Sequence, residues 1–82
     1  MPEQDTKNPP VLLYSRPDCH LCDVAAAMLD EENLAYRKHD IELDIDLISR
    51  YGTRIPVLYR SDSGEELGWP FSAGQARRFF ER

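Results

Sequence analysis

Hydrophobic spacing changes along the chain. Val11-Leu12-Leu13-Tyr14 is an unbroken apolar run that stops at Arg16-Pro17-Asp18, and such a run between turn residues suits a strand covered on both faces. It belongs at the centre of a sheet. From Leu21 the apolar residues Leu21, Val24, Ala25, Met28 and Leu29 recur at helical spacing, with Asp23, Asp30 and Glu31 off the stripe, which predicts an amphipathic helix. Asn33 is placed to stop it in a left-handed conformation. Residues 35–41 mix Tyr36 and Ile41 with Arg37, Lys38 and His39, a composition suited to an edge strand whose charges discourage further pairing.

Ile41, Leu43, Ile45 and Leu47 alternate with acids and would extend that strand. Ile41, Ile45, Ile48, Leu47 and Tyr51 also fit a helix. The helical reading is preferred, with Asp44 as N-cap, Tyr51 as last residue and Gly52 as the C′ position. Pro56-Val57-Leu58-Tyr59-Arg60 and Glu65-Glu66-Leu67-Gly68-Trp69 flank the turn formers Ser61-Asp62-Ser63-Gly64, which reads as an antiparallel hairpin. After Pro70, Ser72-x-x-Gln75 is a capping box opening a last helix with Ala76, Phe79 and Phe80 on its apolar side. The expected order is β-α-β-α-β-β-α, an α/β chain with no internal repeat.

The chain's 82 residues allow one small domain, because a chain this short buries only about 60% of its unfolded surface. Residues 1–10 contain Pro2, Pro9 and Pro10 among polar side chains and are expected as a flexible tail, with residues 11–82 as the domain. The tail lacks the apolar stretch of a secretory signal, so a cytoplasmic location is expected. No apolar run approaches the roughly 18–20 residues of a membrane span. The formal net charge of −5 is uneven: residues 18–46 hold nine acids against Arg37 and Lys38, and residues 72–82 hold three arginines against Glu81. Non-specific nucleic-acid binding, driven by phosphate neutralisation, is not expected.

Cys19 and Cys22 are the only cysteines, too close in sequence for a bridge between them to restrain the unfolded chain much. A C-x-x-C pair after a strand and a short loop, at the mouth of a helix, is the arrangement of a thioredoxin-like redox site. Within a regular helix, Cβ atoms three residues apart lie about 5–6 Å from each other, whereas a disulfide wants roughly 3.5–4.5 Å. Cys19 must therefore leave the helical path. At a helix N-terminus it meets unsatisfied N–H groups and the positive end of the macrodipole, which favour a thiolate. A fall in pKa from about 8.5 to about 7 needs roughly 2 kcal/mol and raises the thiolate from a few per cent to half at neutral pH. A protonated His20 assists this and Asp18 opposes it. Cys22, one turn in, is the expected resolving thiol. Two alternatives are weaker: inert buried thiols, and zinc, which needs about four ligands where only His20 and His39 remain. No metal is expected.

Together with the Ile55-Pro56 step and the element order, these residues resemble the glutaredoxin branch of the thioredoxin-like superfamily. The segments Tyr14-Ser15-Arg16-Pro17-Asp18-Cys19-His20-Leu21-Cys22, Tyr51-Gly52-Thr53-Arg54-Ile55-Pro56-Val57 and Trp69-Pro70-Phe71 resemble a small glutaredoxin-like family more narrowly. The resemblance implies a four-stranded mixed sheet in the order 2-1-3-4 with helices on both faces. It also implies a cis-Pro56 facing the cysteines, Ile55 peptide groups that pair with a substrate backbone, and an Arg16 that contacts a glutathione carboxylate. Taken alone, Pro56 reads as the first residue of an edge strand and Arg16 as a solvated side chain.

Departures from the family pattern are as informative. His20-Leu21 replaces the usual Pro-Tyr between the cysteines, which removes a proline that pre-organises the helix start. Gly68 is followed by Trp69-Pro70-Phe71 in place of the glycine pair and acid that receive glutathione. Trp69 and Phe71 read equally as core and as an exposed docking patch. The expectation is a monomeric thiol-disulfide oxidoreductase without a tightly bound cofactor, Cys19 attacking and Cys22 resolving, on a protein disulfide or with glutathione as co-substrate. The alternatives are a glutathione-dependent iron–sulfur carrier and a non-catalytic adaptor.

Overall fold

The computed structural model describes residues 10–81. The elements are β1 (Val11–Ser15), α1 (His20–Glu31), β2 (Arg37–Asp40), a 3₁₀ turn (Ile41–Leu43), α2 (Ile45–Tyr51), β3 (Val57–Arg60), β4 (Glu66–Gly68) and α3 (Ala73–Glu81). The sheet order is β2-β1-β3-β4. β1 runs parallel to β2 and antiparallel to β3, which is antiparallel to β4. The apolar first strand is central and the charged β2 is an edge, as their compositions require. This is a thioredoxin-like fold. The expected tail falls outside the described residues except for Pro10, whose carbonyl accepts from the Ser61 N–H at 2.8 Å.

Alternation along the strands divides the interior into two layers. Val11, Leu13 and Leu58 pack with Ala25, Ala26 and Leu29 of α1 and Ala76 and Phe79 of α3. On the other face, Tyr14 and Val57 pack with Ile41 and Tyr51, and Leu47 joins them. Tyr14 gathers an aromatic cluster there, with ring centroids 4.8 Å from Tyr51, 5.6 Å from Tyr59 and 5.7 Å from His39. Each large buried side chain contributes about 1.5–3 kcal/mol by leaving water.

Three local expectations need correction. The buried face of α1 is Cys22, Ala25, Ala26 and Leu29, one position round from the expected stripe, which leaves Leu21 and Val24 exposed. Turning Cys22 inward sets this rotation, and the two alanines leave room for Leu13, Leu58 and Phe71 in the same layer. In α2, Leu47 and Tyr51 supply the buried side while Ile45 and Ile48 face solvent, because Asp44 is extended and breaks the helical phase running from Ile41. Gly52 caps that helix at φ −52° and is not the left-handed C′ residue expected. Its missing side chain serves clearance, since a Cβ would come within 2.6 Å of the Ile48 carbonyl oxygen.

Other local signals are realised as read. Asn33 has φ 58°, a conformation Asn tolerates better than most residues. The Ser72 N–H donates to Gln75 Oε1 at 2.8 Å and the Gln75 N–H to Ser72 Oγ at 3.1 Å, the reciprocal pair of a capping box. Phe71 is buried and Trp69 packs partly buried beside it, ring centroids 5.0 Å apart. Of the two readings offered for these aromatics, the core is the one realised.

Candidate active site

The C-terminal ends of β1 and β2 lie side by side because the strands are parallel, and open sheets present their sites at such ends. β1 stops at Ser15, three residues turn the chain, and Cys19 is the N-cap of α1. Cys19 has left the helical path, at φ −104° and ψ 105°. Asp18 just before it has φ 62°, and Asp is one of the few residue types that enter this region readily. That left-handed step is the local device that turns the chain into the helix.

Cys19 and Cys22 form a disulfide, their Cα atoms 5.2 Å apart. Cys19 Sγ also accepts the Cys22 N–H at 3.2 Å, so the sulfur takes the place of the oxygen found in ordinary N-caps. Cys22 is 3% exposed and Cys19 is half-buried. His20, the first residue of α1, is exposed. A cavity of about 240 Å³ beside Cys22 is walled by Arg16, Asp18, Asp23, Lys38 and Asp40.

The antiparallel pairing of Tyr14 with Val57 brings Pro56, just before β3, to this same end of the sheet. The Ile55–Pro56 peptide is cis, and so is Trp69–Pro70, which no local signal in the sequence marks. The Trp69 N–H donates to the Pro56 carbonyl at 3.1 Å. Ile55 is half-buried in the tyrosine layer and its N–H donates to the Tyr51 carbonyl at 3.2 Å, which leaves only its carbonyl for a substrate backbone. Arg16, expected to meet a glutathione carboxylate, donates through Nε and Nη2 to Glu42 Oε2 at 3.0 and 2.8 Å. Glu42 went unnoticed because it is 26 positions away in a turn that reads as continuing the strand.

A second polar group lies on the α2 side. The Tyr51 hydroxyl donates to Glu66 Oε2, and Arg54 Nη2 donates to Glu66 Oε1 at 3.1 Å. Burial, then the Glu66 contact, push the Tyr51 hydroxyl above its ordinary pKa; burial does the same for Tyr14. Both stay protonated near neutral pH and serve as packing and hydrogen-bonding groups. Among the described residues, no group of three or more His, Cys, Asp or Glu is placed to hold a metal ion. None of the described helices is long and apolar enough to cross a membrane.

Residues 10–81 match the family described as Glutaredoxin-like domain (DUF836). The chain belongs to that family. Two solved structures of the X. campestris protein XcR50 are similar to this glutaredoxin-like domain. The X-ray structure is 42% identical, with a TM-score of 0.76 over 87% of this chain and 95% of that one. The solution structure is 41% identical, with a TM-score of 0.76 over 88% and 92%. A mutant of the thioredoxin-like protein BC3987, 22% identical with a TM-score of 0.64 over 88% of this chain and 95% of that one, shares the fold. No curated protein matches the chain.

Proposed function

We propose that the protein is a dithiol thiol-disulfide oxidoreductase in which Cys19 attacks and Cys22 resolves. The observation that carries this reading is the N-cap: Cys19 Sγ accepts the Cys22 N–H at 3.2 Å at the start of a helix, while Cys22 is buried behind it. In the reduced protein the same N–H and the helix macrodipole stabilise a thiolate on Cys19. That thiolate attacks one sulfur of a substrate disulfide, forms a mixed disulfide and expels the other sulfur as a thiolate. Cys22 then gives its proton to solvent water in the cavity beside it and attacks Cys19 Sγ. The second substrate thiolate leaves and the Cys19–Cys22 disulfide remains. Two electrons pass to the substrate, and an external thiol reductant restores the pair.

A protein disulfide fits the surroundings better than glutathione. Arg16 is engaged with Glu42, and Phe71 is core where glutaredoxins present a glycine pair to the small ligand. The test is Cys22→Ser assayed in parallel on a protein disulfide and a glutathione mixed disulfide. Protein-disulfide turnover is expected to collapse, with the covalent Cys19 adduct visible on a non-reducing gel, because the intramolecular exit is gone. A wild-type protein that reduces neither substrate, together with a variant that traps nothing, overturns the reading.

A further inference from the structure

Ile41, Ile45 and Ile48 recur at helical spacing, and the structure divides this segment into a 3₁₀ turn and α2. Asp40 Oδ1 accepts the Glu42 N–H at 2.8 Å and Asp44 Oδ1 accepts the Asp46 N–H at 2.9 Å, so each aspartate starts its own short turn. Ile41 is buried below, while Leu43 and Ile45 stand 80% and 81% exposed and Ile48 is 39% exposed one turn on. Single exposed apolar side chains are ordinary. Three within six positions, two of them almost wholly in water, form a ledge that folding itself does not bury.

Acids outnumber bases around this ledge: Glu42, Asp44 and Asp46 against Arg16 and Arg50. Asp44 and Asp46 flank Ile45 and enter no ion pair among the described residues, whereas Glu42 is held by Arg16. Arg50, in the last turn, is the one basic residue of α2. An apolar rise edged by uncompensated carboxylates is complementary to a chain carrying apolar side chains between Lys or Arg. It repels an acidic one. The Arg16–Glu42 bridge ties the ledge to the loop that delivers Cys19, three residues beyond Arg16.

We infer that Leu43, Ile45 and Ile48 with Asp44 and Asp46 form a docking ledge for a basic, apolar polypeptide segment beside the disulfide of a protein substrate. The identity of that segment as part of a disulfide substrate rests on the redox reading above. The ledge supplies affinity away from the sulfur atoms and selects protein substrates by the charge next to their cysteines.

The probe is a fluorescein-labelled twelve-residue synthetic peptide of leucines and lysines around a central serine, with a twin in which glutamates replace the lysines. Both are titrated by fluorescence anisotropy against the full chain in its disulfide form. The basic peptide is expected to bind at least tenfold more tightly than its twin, a difference of about 1.4 kcal/mol, and to shift the backbone amide resonances of residues 43–48. Leu43→Ser combined with Ile45→Ser is expected to weaken the basic peptide at least tenfold, and Asp46→Lys about threefold. Unchanged melting curves show that the variants remain folded. Equal affinity for the twins, no binding of the basic peptide, or wild-type affinity in the double variant overturns the proposal. So does a dimer in sedimentation velocity that the double variant dissolves, since the ledge then belongs to a second copy of the chain. The probe has no cysteine, so the two readings fail separately. Peptide binding without disulfide reduction leaves the ledge and removes the oxidoreductase; reduction without peptide binding does the reverse.

Discussion

The two ends of the sheet are built to opposite standards of completeness. At the hairpin end, the buried Arg60 donates from Nε and Nη2 to the Asp62 carboxylate at 2.9 and 2.7 Å, and from Nη1 to the Phe79 and Phe80 carbonyls at 2.9 and 2.7 Å. One side chain thus ties β3, the turn and the last carbonyls of α3, groups that a helix end cannot satisfy itself. At the cysteine end, Asp18 is left-handed, Leu21 and Leu43 face water, and a cavity opens against Cys22. The difference separates an anchored end, where one arginine closes four internal bonds, from an end whose disulfide and apolar side chains stay open to solvent, as the proposed exchange requires.

The strongest way to break this comparison is Arg60→Met. It strands the α3 carbonyls and the Asp62 carboxylate, and is expected to lower stability by about 2–4 kcal/mol in urea melts. In the reduced variant, measured where it remains folded, Cys19 is expected to keep its wild-type alkylation rate. A parallel loss of both would show that the two ends are coupled.

Reduction of the Cys19–Cys22 bridge comes next. The closed loop spans a separation of three residues, and constraining so short a loop stabilises by at most about 2 kcal/mol. Melts of the oxidised and reduced protein measure this. A difference larger than the Arg60 effect would make the cysteine end the mechanical anchor.

Ser72→Ala removes half of the capping box and is expected to cost about 1 kcal/mol, read as a lower denaturation midpoint with Cys19 reactivity unchanged.

The smallest effect concerns acid. The Arg60 hydrogen bond holds the Asp62 carboxyl below the usual carboxylate pKa. Its ionised form is therefore favoured in the folded state. This contribution is fully present above about pH 4 and is lost as pH falls through the lowered value. Asp62 is half-exposed, so solvent screening makes the contribution modest. Asp62→Asn is expected to lower stability slightly and evenly between pH 6 and 8 and to flatten the pH dependence only in that acidic window; a changed slope between pH 6 and 8 would contradict the assignment.

What was legible in the sequence follows the range of each signal. The capping box at Ser72 and Gln75, the stop at Asn33 and the all-apolar Val11-Leu12-Leu13-Tyr14 strand carry their causes within a few positions, and each is realised. Periodicity located α1 but misjudged its inward face, because moment and stripe cannot see that a small cysteine is the residue turned to the core. Asp44 looked like an N-cap and is one; that it also throws Ile45 outward depends on the tertiary fit of Ile41. At the site, the position of the cysteine pair at a strand end and helix start was readable. The Arg16–Glu42 and Arg60–Phe79 links were not, since they join residues 26 and 19 positions apart with no local pattern between them.

The hairpin end also decides how the domain can be tethered. Val11 pairs with Arg60, Pro10 bonds Ser61, and α3 finishes against Arg60, so the chain enters and leaves at the end of the sheet remote from Cys19. A linker attached before residue 10 or after residue 81, whether to another polypeptide or to an electrode, would point the cysteine pair away from the attachment. Immobilised through either side, the domain presents its disulfide outward, ready for electrochemical titration without a redesigned scaffold.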